Sequence, residues 1–273
     1  MVQQPEGLAP SPSTVDAYTP PQMARLVEAV GVRKANLTVV QTLTLGVLAG
    51  AFIAFGAMLF TLVMTDIGLG FGLSRLVGGI AFSLGLILVV VGGAELFTGN
   101  SLIVMAWAER RVSTAALLRN WLLVYIANAI GAGAMVILML MADGLALGAG
   151  AVADTARAIA EGKVALGFLE ALVRGVLCNV LVCLAVWLCF AAHSVSGKIL
   201  AIVFPISAFV ALGFEHSVAN MYLIPIGMLV GTGLDLVGLL GNLVPVTLGN
   251  VIGGGVMVAA VYWLVYLRGA DSR

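Results

Sequence analysis

Gly93-Ala94-Glu95-Leu96-Phe97-Thr98-Gly99-Asn100 and Gly213-Phe214-Glu215-His216-Ser217-Val218-Ala219-Asn220 share the form Gly-x-Glu-x-x-x-x-Asn and stand 120 residues apart in a chain of 273. Long apolar stretches surround both. A carboxylate or a histidine is costly inside a bilayer, and glycine loosens a helix. A repeated pair of such segments therefore points to a polar path near the bilayer midplane.

The flanking composition supports a membrane setting. The chain is 62% hydrophobic and 10% charged, with a mean hydropathy of +1.14. Soluble domains run at about 45–50% apolar and about 25% charged. This much apolar surface fits a polytopic membrane protein with the lipid bilayer as its solvent. The formal net charge is zero, so charge gives no sign of nucleic-acid binding. The 34 glycines suit close helix packing. Cys178, Cys183 and Cys189 share one apolar stretch without a metal or disulfide spacing, and read as packing residues.

Six crossings of roughly 20 residues or more are expected, at about 38–64, 76–108, 120–142, 166–192, 197–228 and 246–267. The second and fifth look broken. The second holds the Gly92-Gly93-Ala94-Glu95 run and Thr98-Gly99-Asn100. The fifth holds Pro205, Gly213, Glu215, His216, Asn220 and Pro225. The fold class is thus all-α, with six transmembrane helices. Residues 1–21 are polar and proline-rich, with no signal-peptide pattern, and read as a disordered tail. Residues 22–36 read as an amphipathic interfacial helix, or equally as one packed on a loop. Residues 37–268 form the channel domain, and 269–273 a short cytoplasmic tail.

Loop cations set the orientation. With the N-terminus inside, the inner side holds Arg25, Arg33, Lys34, Arg110, Arg111, Arg119, Lys198, Arg268 and Arg273. The outer side holds Arg75, Arg157 and Lys163, and Arg174 falls within the fourth span. Both termini are expected in the cytoplasm. Trp107 and Trp121 suit the interface. Two halves of three spans each are inverted relative to one another, so the broken helices approach the midplane from opposite sides.

His216 is one of two histidines. It reads as a group that binds an anion or hands it a proton, against the plainer reading of a hydrogen-bonded structural histidine. His193 reads as a loop residue. Glu95 and Glu215 suit free N–H groups at the breaks, with Asn100 and Asn220 satisfying backbone on the other flank. Thr98 offers a small hydroxyl to the path. Lys163, expected at the outer end of the fourth span, either concentrates anions or snorkels to water. The sequence carries no metal-ligand cluster, P-loop, dinucleotide fingerprint or nucleophile elbow, so no catalytic residue, metal or cofactor is assigned.

From Ala29 to Tyr266 the sequence resembles the formate/nitrite transporter family. The resemblance is carried by Gly92 to Asn100, by Asn179 with the Leu181–Trp187 run, by Gly213 to Tyr222, and by Pro245-Val246-Thr247-Leu248-Gly249-Asn250. It implies an aquaporin-like inverted repeat assembled as a homopentamer, each protomer with its own pore for small weak-acid anions. It also implies His216 and Thr98 at the centre, Lys163 at the outer mouth, Asn179 on the pathway, and constrictions at Leu86, Leu96 and Phe209 with Phe82 nearby. The strings from Asn220 to Pro225 and from Asn242 to Thr247 look formate-type. The expected cargo is formate with protons, with nitrite or hydrosulfide as alternatives, across a bacterial-type inner membrane. An intramembrane enzyme and a scaffold without flux are the rival classes.

Overall fold

The structure, a computed structural model, describes residues 17–231, 233 and 235–269. Most of the expected tail (residues 1–16), along with residues 270–273, lies outside the described residues. The first helix, α1 (Pro20–Ala35), begins inside the stretch expected to be tail. Thr19 and Gln22 form a reciprocal capping box and proline leads the helix, which fixes its start. Met23, Ala24, Val27, Gly31 and Ala35 bury one face of α1 at helical spacing.

Two similar runs of helices follow. The first comprises α2 (Val39–Met64), α3 (Phe71–Gly92), α4 (Val104–Ala108) entered through a tight turn at Gly99–Ile103, and α5 (Thr114–Met141). Next comes α6 (Ala151–Val164), the second run's counterpart of α1, which was not expected from the sequence. After it come α7 (Phe168–Ala191), α8 (Val195–Ala211), α9 (Ser217–Met228), α10 (Leu236–Val251) and α11 (Val261–Tyr266). The last two join through a wide turn, Ile252–Ala260. Among the described residues five stretches are each long and apolar enough to cross a bilayer, and α8 and α9 in series make a further crossing.

The breaks differ from expectation in one respect. Pro205 and Pro225 lie inside α8 and α9, and the chain leaves the helix at Gly213 instead. Gly93 at φ +81° and Gly213 at φ +75° end α3 and α8, in a left-handed conformation that favours glycine. The third and sixth crossings also start earlier than read. Ser113 and Asp235 cap them, each side chain accepting from a backbone N–H three residues on.

α2 packs on α3 and α5, α7 packs on α8 and α10, and α3 meets α8 between the halves. Small residues allow this. A Cβ on Gly131 would enter the Val47 carbonyl of α2, and one on Gly253 would enter the Val176 carbonyl of α7. Large apolar side chains such as Val40, Leu122, Phe204 and Val237 face outward, as a lipid-facing surface requires.

Candidate functional site

The first break is held by polar side chains from its own half. The Lys34 ammonium donates to Glu95 Oε1 at 2.8 Å and to Asn100 Oδ1 at 2.9 Å. Asn100 Nδ2 donates to Glu95 Oε2 at 2.7 Å and to Asn120 Oδ1 at 2.9 Å. Asn120 returns to the Lys34 carbonyl at 3.1 Å. Asn128 accepts the Phe97 N–H at 2.9 Å and donates to the carbonyls of Gly46 and Glu95 at 2.8 and 2.9 Å.

The second break repeats this arrangement. Lys163 donates to Glu215 Oε1 at 2.8 Å, and Asn220 donates to Glu215 Oε2 at 2.6 Å and Asn242 Oδ1 at 2.7 Å. Asn242 donates to the Lys163 carbonyl at 2.9 Å. Asn250 accepts the Ser217 N–H at 2.9 Å and donates to the carbonyls of Gly175 and Glu215 at 2.8 and 3.0 Å. One bond is missing: among the described residues Asn220 Oδ1 has no partner, whereas its counterpart on Asn100 is bound by Lys34.

These bonds correct the expected partners of the carboxylates. Glu95 and Glu215 take up lysine and asparagine side chains, not the free N–H groups. Asn128 and Asn250 take one such N–H each, at Phe97 and Ser217. A buried carboxylate needs a cation more than an amide, because desolvating an unpaired charge costs far more than leaving a dipole unmet. Lys163 is likewise not at the end of the fourth span. It sits in the last turn of α6, with its side chain 15% exposed, held by Glu215 and not snorkelling.

The two halves meet at His216 and Thr98. The Ala219 N–H donates to His216 Nδ1 at 3.1 Å, so in the neutral ring the proton sits on Nε2, which donates to Thr98 Oγ1 at 2.9 Å. Both residues are buried. Asn179 fixes the Thr98 backbone from behind: its Nδ2 donates to the Thr98 carbonyl at 3.2 Å and to the Asn250 carbonyl at 2.6 Å. It lines neither of the cavities described next.

A cavity of about 440 Å³ opens on the α1 side, with Lys34, Glu95, Leu86 and Leu96 in its wall. Another of about 630 Å³ opens on the α6 side, with Lys163, Glu215, His216, Phe82 and Phe209 in its wall. No residue lines both. Phe82, Phe209 and His216 stand together in the wall of the second. Phe82 meets Phe209 edge-on at 5.7 Å, and Phe209 stacks on the His216 ring at 6.0 Å. Each cavity thus holds one lysine–glutamate pair among mostly apolar walls, and the buried histidine–hydroxyl pair borders the second.

Sequence reasoning missed Lys34, Asn120, Asn128, Asn242 and Asn250 as members of the site. Comparing the flanks of the two Gly-x-Glu segments would have exposed the asparagines, which recur 122 residues apart (120 to 242, 128 to 250). Trp121 is not purely interfacial. Its Nε1 donates to the Asn100 carbonyl at 3.1 Å, and its ring meets Phe97. Arg174 belongs to the α6-side mouth. His193 lies in the α7–α8 loop against the Tyr18 ring at 4.3 Å. Among the described residues no group of three or more His, Cys, Asp or Glu is placed to hold a metal ion.

Residues 21–264 match the formate/nitrite transporter family profile. The formate channel FocA of Escherichia coli (strain K12) is 40% identical over 278 residues, covering 94% of this chain and 98% of the relative. A probable formate transporter of Methanothermobacter thermautotrophicus is 42% identical over 267 residues, covering 92% and 97%. A solved pentameric formate channel with formate bound superposes with a TM-score of 0.79 at 38% identity, covering 84% of this chain and 98% of that one.

Proposed function

The chain belongs to the formate/nitrite transporter family, and we propose that it is a formate channel, a multi-pass membrane protein that acts as a homopentamer with one pore per protomer. The carrying observation is a pair of cavities that share no lining residue, each with a lysine–glutamate pair, and we read the Phe82–Phe209–His216 cluster with its Thr98 partner as the plug between their paths. The relatives named above are formate channels and transporters rather than enzymes.

The physics of the plug supports movement of formate together with a proton. A bare anion entering an apolar ring loses several kcal/mol of hydration, whereas the neutral acid loses far less. Lys163 and Lys34 raise the local anion concentration in their vestibules. Leu86, Leu96, Phe82 and Phe209 dehydrate what enters. His216 donates to Thr98, which leaves the Thr98 hydroxyl hydrogen for a passing oxygen. The proton comes through water in the vestibule, because a neutral His216 ring that gave up its one hydrogen, on Nε2, would be left as an imidazolate. Glu95, Asn100, Glu215 and Asn220 hold the breaks open, and Asn179 keeps Thr98 in place. The excess of Lys and Arg on the α1 side supports a cytoplasmic position for that face and both termini, in a bacterial-type inner membrane.

The test uses purified protein in liposomes carrying an internal pH dye, with the membrane potential clamped. Inward gradients of formate, nitrite, hydrosulfide, lactate and chloride are applied in turn. Acidification with formate above the others is the expected result. Current without acidification would make the pore a passive anion channel. Stronger signals with nitrite or hydrosulfide would reassign the cargo, and no flux for any anion would overturn the reading.

A further inference from the structure

Two arginines converge on the end of α8 at the α6-side mouth. Arg75 Nε donates to the Ala211 carbonyl at 3.1 Å, and its Nη2 donates to the Val210 carbonyl at 2.6 Å. Arg174 Nη1 donates to the Gly213 carbonyl at 3.1 Å, and its Nη2 donates to Glu170 at 2.6 Å. Both guanidinium groups close on Gly213. A Cβ there would lie 3.2 Å from Arg75 Nη2 and 3.5 Å from Arg174 Nη1. Both arginines line the same cavity as Lys163 and His216.

The other mouth carries cations too, with Arg33, Lys34 and Lys198 in its wall, but among the described residues no guanidinium bonds the carbonyls that end α3. The Glu215 N–H donates to the Arg174 carbonyl as the Glu95 N–H donates to that of Leu45, so Leu45 is the counterpart of Arg174. The residue 18 positions before Gly93 is Arg75, and 18 before Gly213 is Val195. The acidic groups around the α6-side mouth are largely committed. Glu215 pairs with Lys163, Glu170 with Arg174, and Asp154 with Arg157 at 3.3 Å. Asp66 also lines the cavity, with no ion pair among the described residues. Arg75 is held by carbonyls alone, so no carboxylate in contact matches its charge. Guanidinium groups suit carboxylates because their N–H donors form a planar fork.

We propose that Arg75 and Arg174 form an anion-capture station at the α6-side mouth, ahead of Lys163, that takes formate or a similar monovalent oxyanion. The station rests on the formate-channel reading. It acts before the plug, so it lowers the concentration needed for entry from the α6 side without setting the plateau rate.

The test measures formate entry from each face separately, in vesicles whose orientation is fixed by protease accessibility of a terminal tag. Arg174→Gln and Arg75→Gln keep a donor for the carbonyls but lose the charge. Each is expected to raise the half-saturating formate from the α6 side by about three- to tenfold, the size of one partly screened charge at close range. The plateau stays within about twofold, and entry from the α1 side is unchanged. Arg174→Lys retains most of the wild-type value. In each glutamine variant, added inert salt weakens entry from the α6 side less than it does in the wild type. Unchanged half-saturation in both glutamine variants, with only thermal stability lowered, would reduce the arginines to caps of α8 and overturn the station. So would a salt sensitivity from the α6 side that stays at the wild-type level in both variants. Absence of wild-type flux would instead overturn the formate-channel reading beneath it.

Discussion

Thr98 Oγ1 and His216 Nε2 meet 2.9 Å apart, at positions where the opposite half of the repeat carries Val218 and Leu96. The polar centre is therefore a local departure from an otherwise repeated scaffold. If the two side chains act as one unit, removing either should cost most of the flux. We expect His216→Asn and Thr98→Val each to lower formate flux at least about tenfold while the oligomer stays folded, with the double variant little worse than the poorer single one. Flux of all four proteins in liposomes checks this, and losses that multiply would show that the residues act independently.

Lys163 neutralises a Glu215 side chain that is only 5% exposed. Removing one partner of a buried pair leaves an uncompensated charge, at about 3–5 kcal/mol. Lys163→Met should lower thermal stability by that order, and adding Glu215→Gln should recover much of it. Paired melting curves decide the matter. In Lys163→Met alone, which leaves the Glu215 charge bare, uptake should fall more at dilute formate than at saturation, and the added Glu215→Gln, which restores the local charge balance, should recover part of that loss.

Asn250 satisfies three buried backbone groups at once. Each group left unmet costs about 1–3 kcal/mol. Asn250→Ala should therefore prevent stable assembly or cut the melting temperature sharply, and Asn128→Ala should do the same. An oligomer of normal stability by size-exclusion chromatography and melting would show that water replaces the amide.

Gly131 and Gly253 face carbonyls of the neighbouring helix too closely for any side chain. Overpacking of this kind costs about 1–3 kcal/mol, occasionally more. Gly253→Ala should destabilise by that amount or more, whereas Gly133→Ala, with open space around it, should be close to neutral. Comparing the two melting temperatures separates a packing effect from a general loss of glycine.

Much of the scaffold is legible because bilayer physics writes long apolar runs into the chain. The breaks are legible because Glu95, Glu215 and His216 stand out against those runs. α6 is hidden for the opposite reason. Ala151–Val164 mixes Asp154, Arg157, Glu161 and Lys163 with small apolar residues, and it is too short to register as a crossing. With α6 unseen, Lys163 looked like the end of a span and its likeness to Lys34 went unnoticed. The proline positions misled because a proline inside a helix and a proline at a break look alike in sequence. Only Gly213, with its positive φ, marks the true exit.

Lys34, Glu95, Asn100, Asn120 and Asn128 all belong to the first half, and Lys163, Glu215, Asn220, Asn242 and Asn250 all belong to the second. During synthesis the earlier half emerges before the later one exists. Because each break is closed by residues of its own half, the nascent first half can bury its carboxylate and loosened backbone without waiting for a partner still on the ribosome. The Thr98–His216 contact, the Asn179 brace and the Arg75 bonds to the end of α8 join residues of both halves, so the pore's chemistry is acquired only once the second half has emerged.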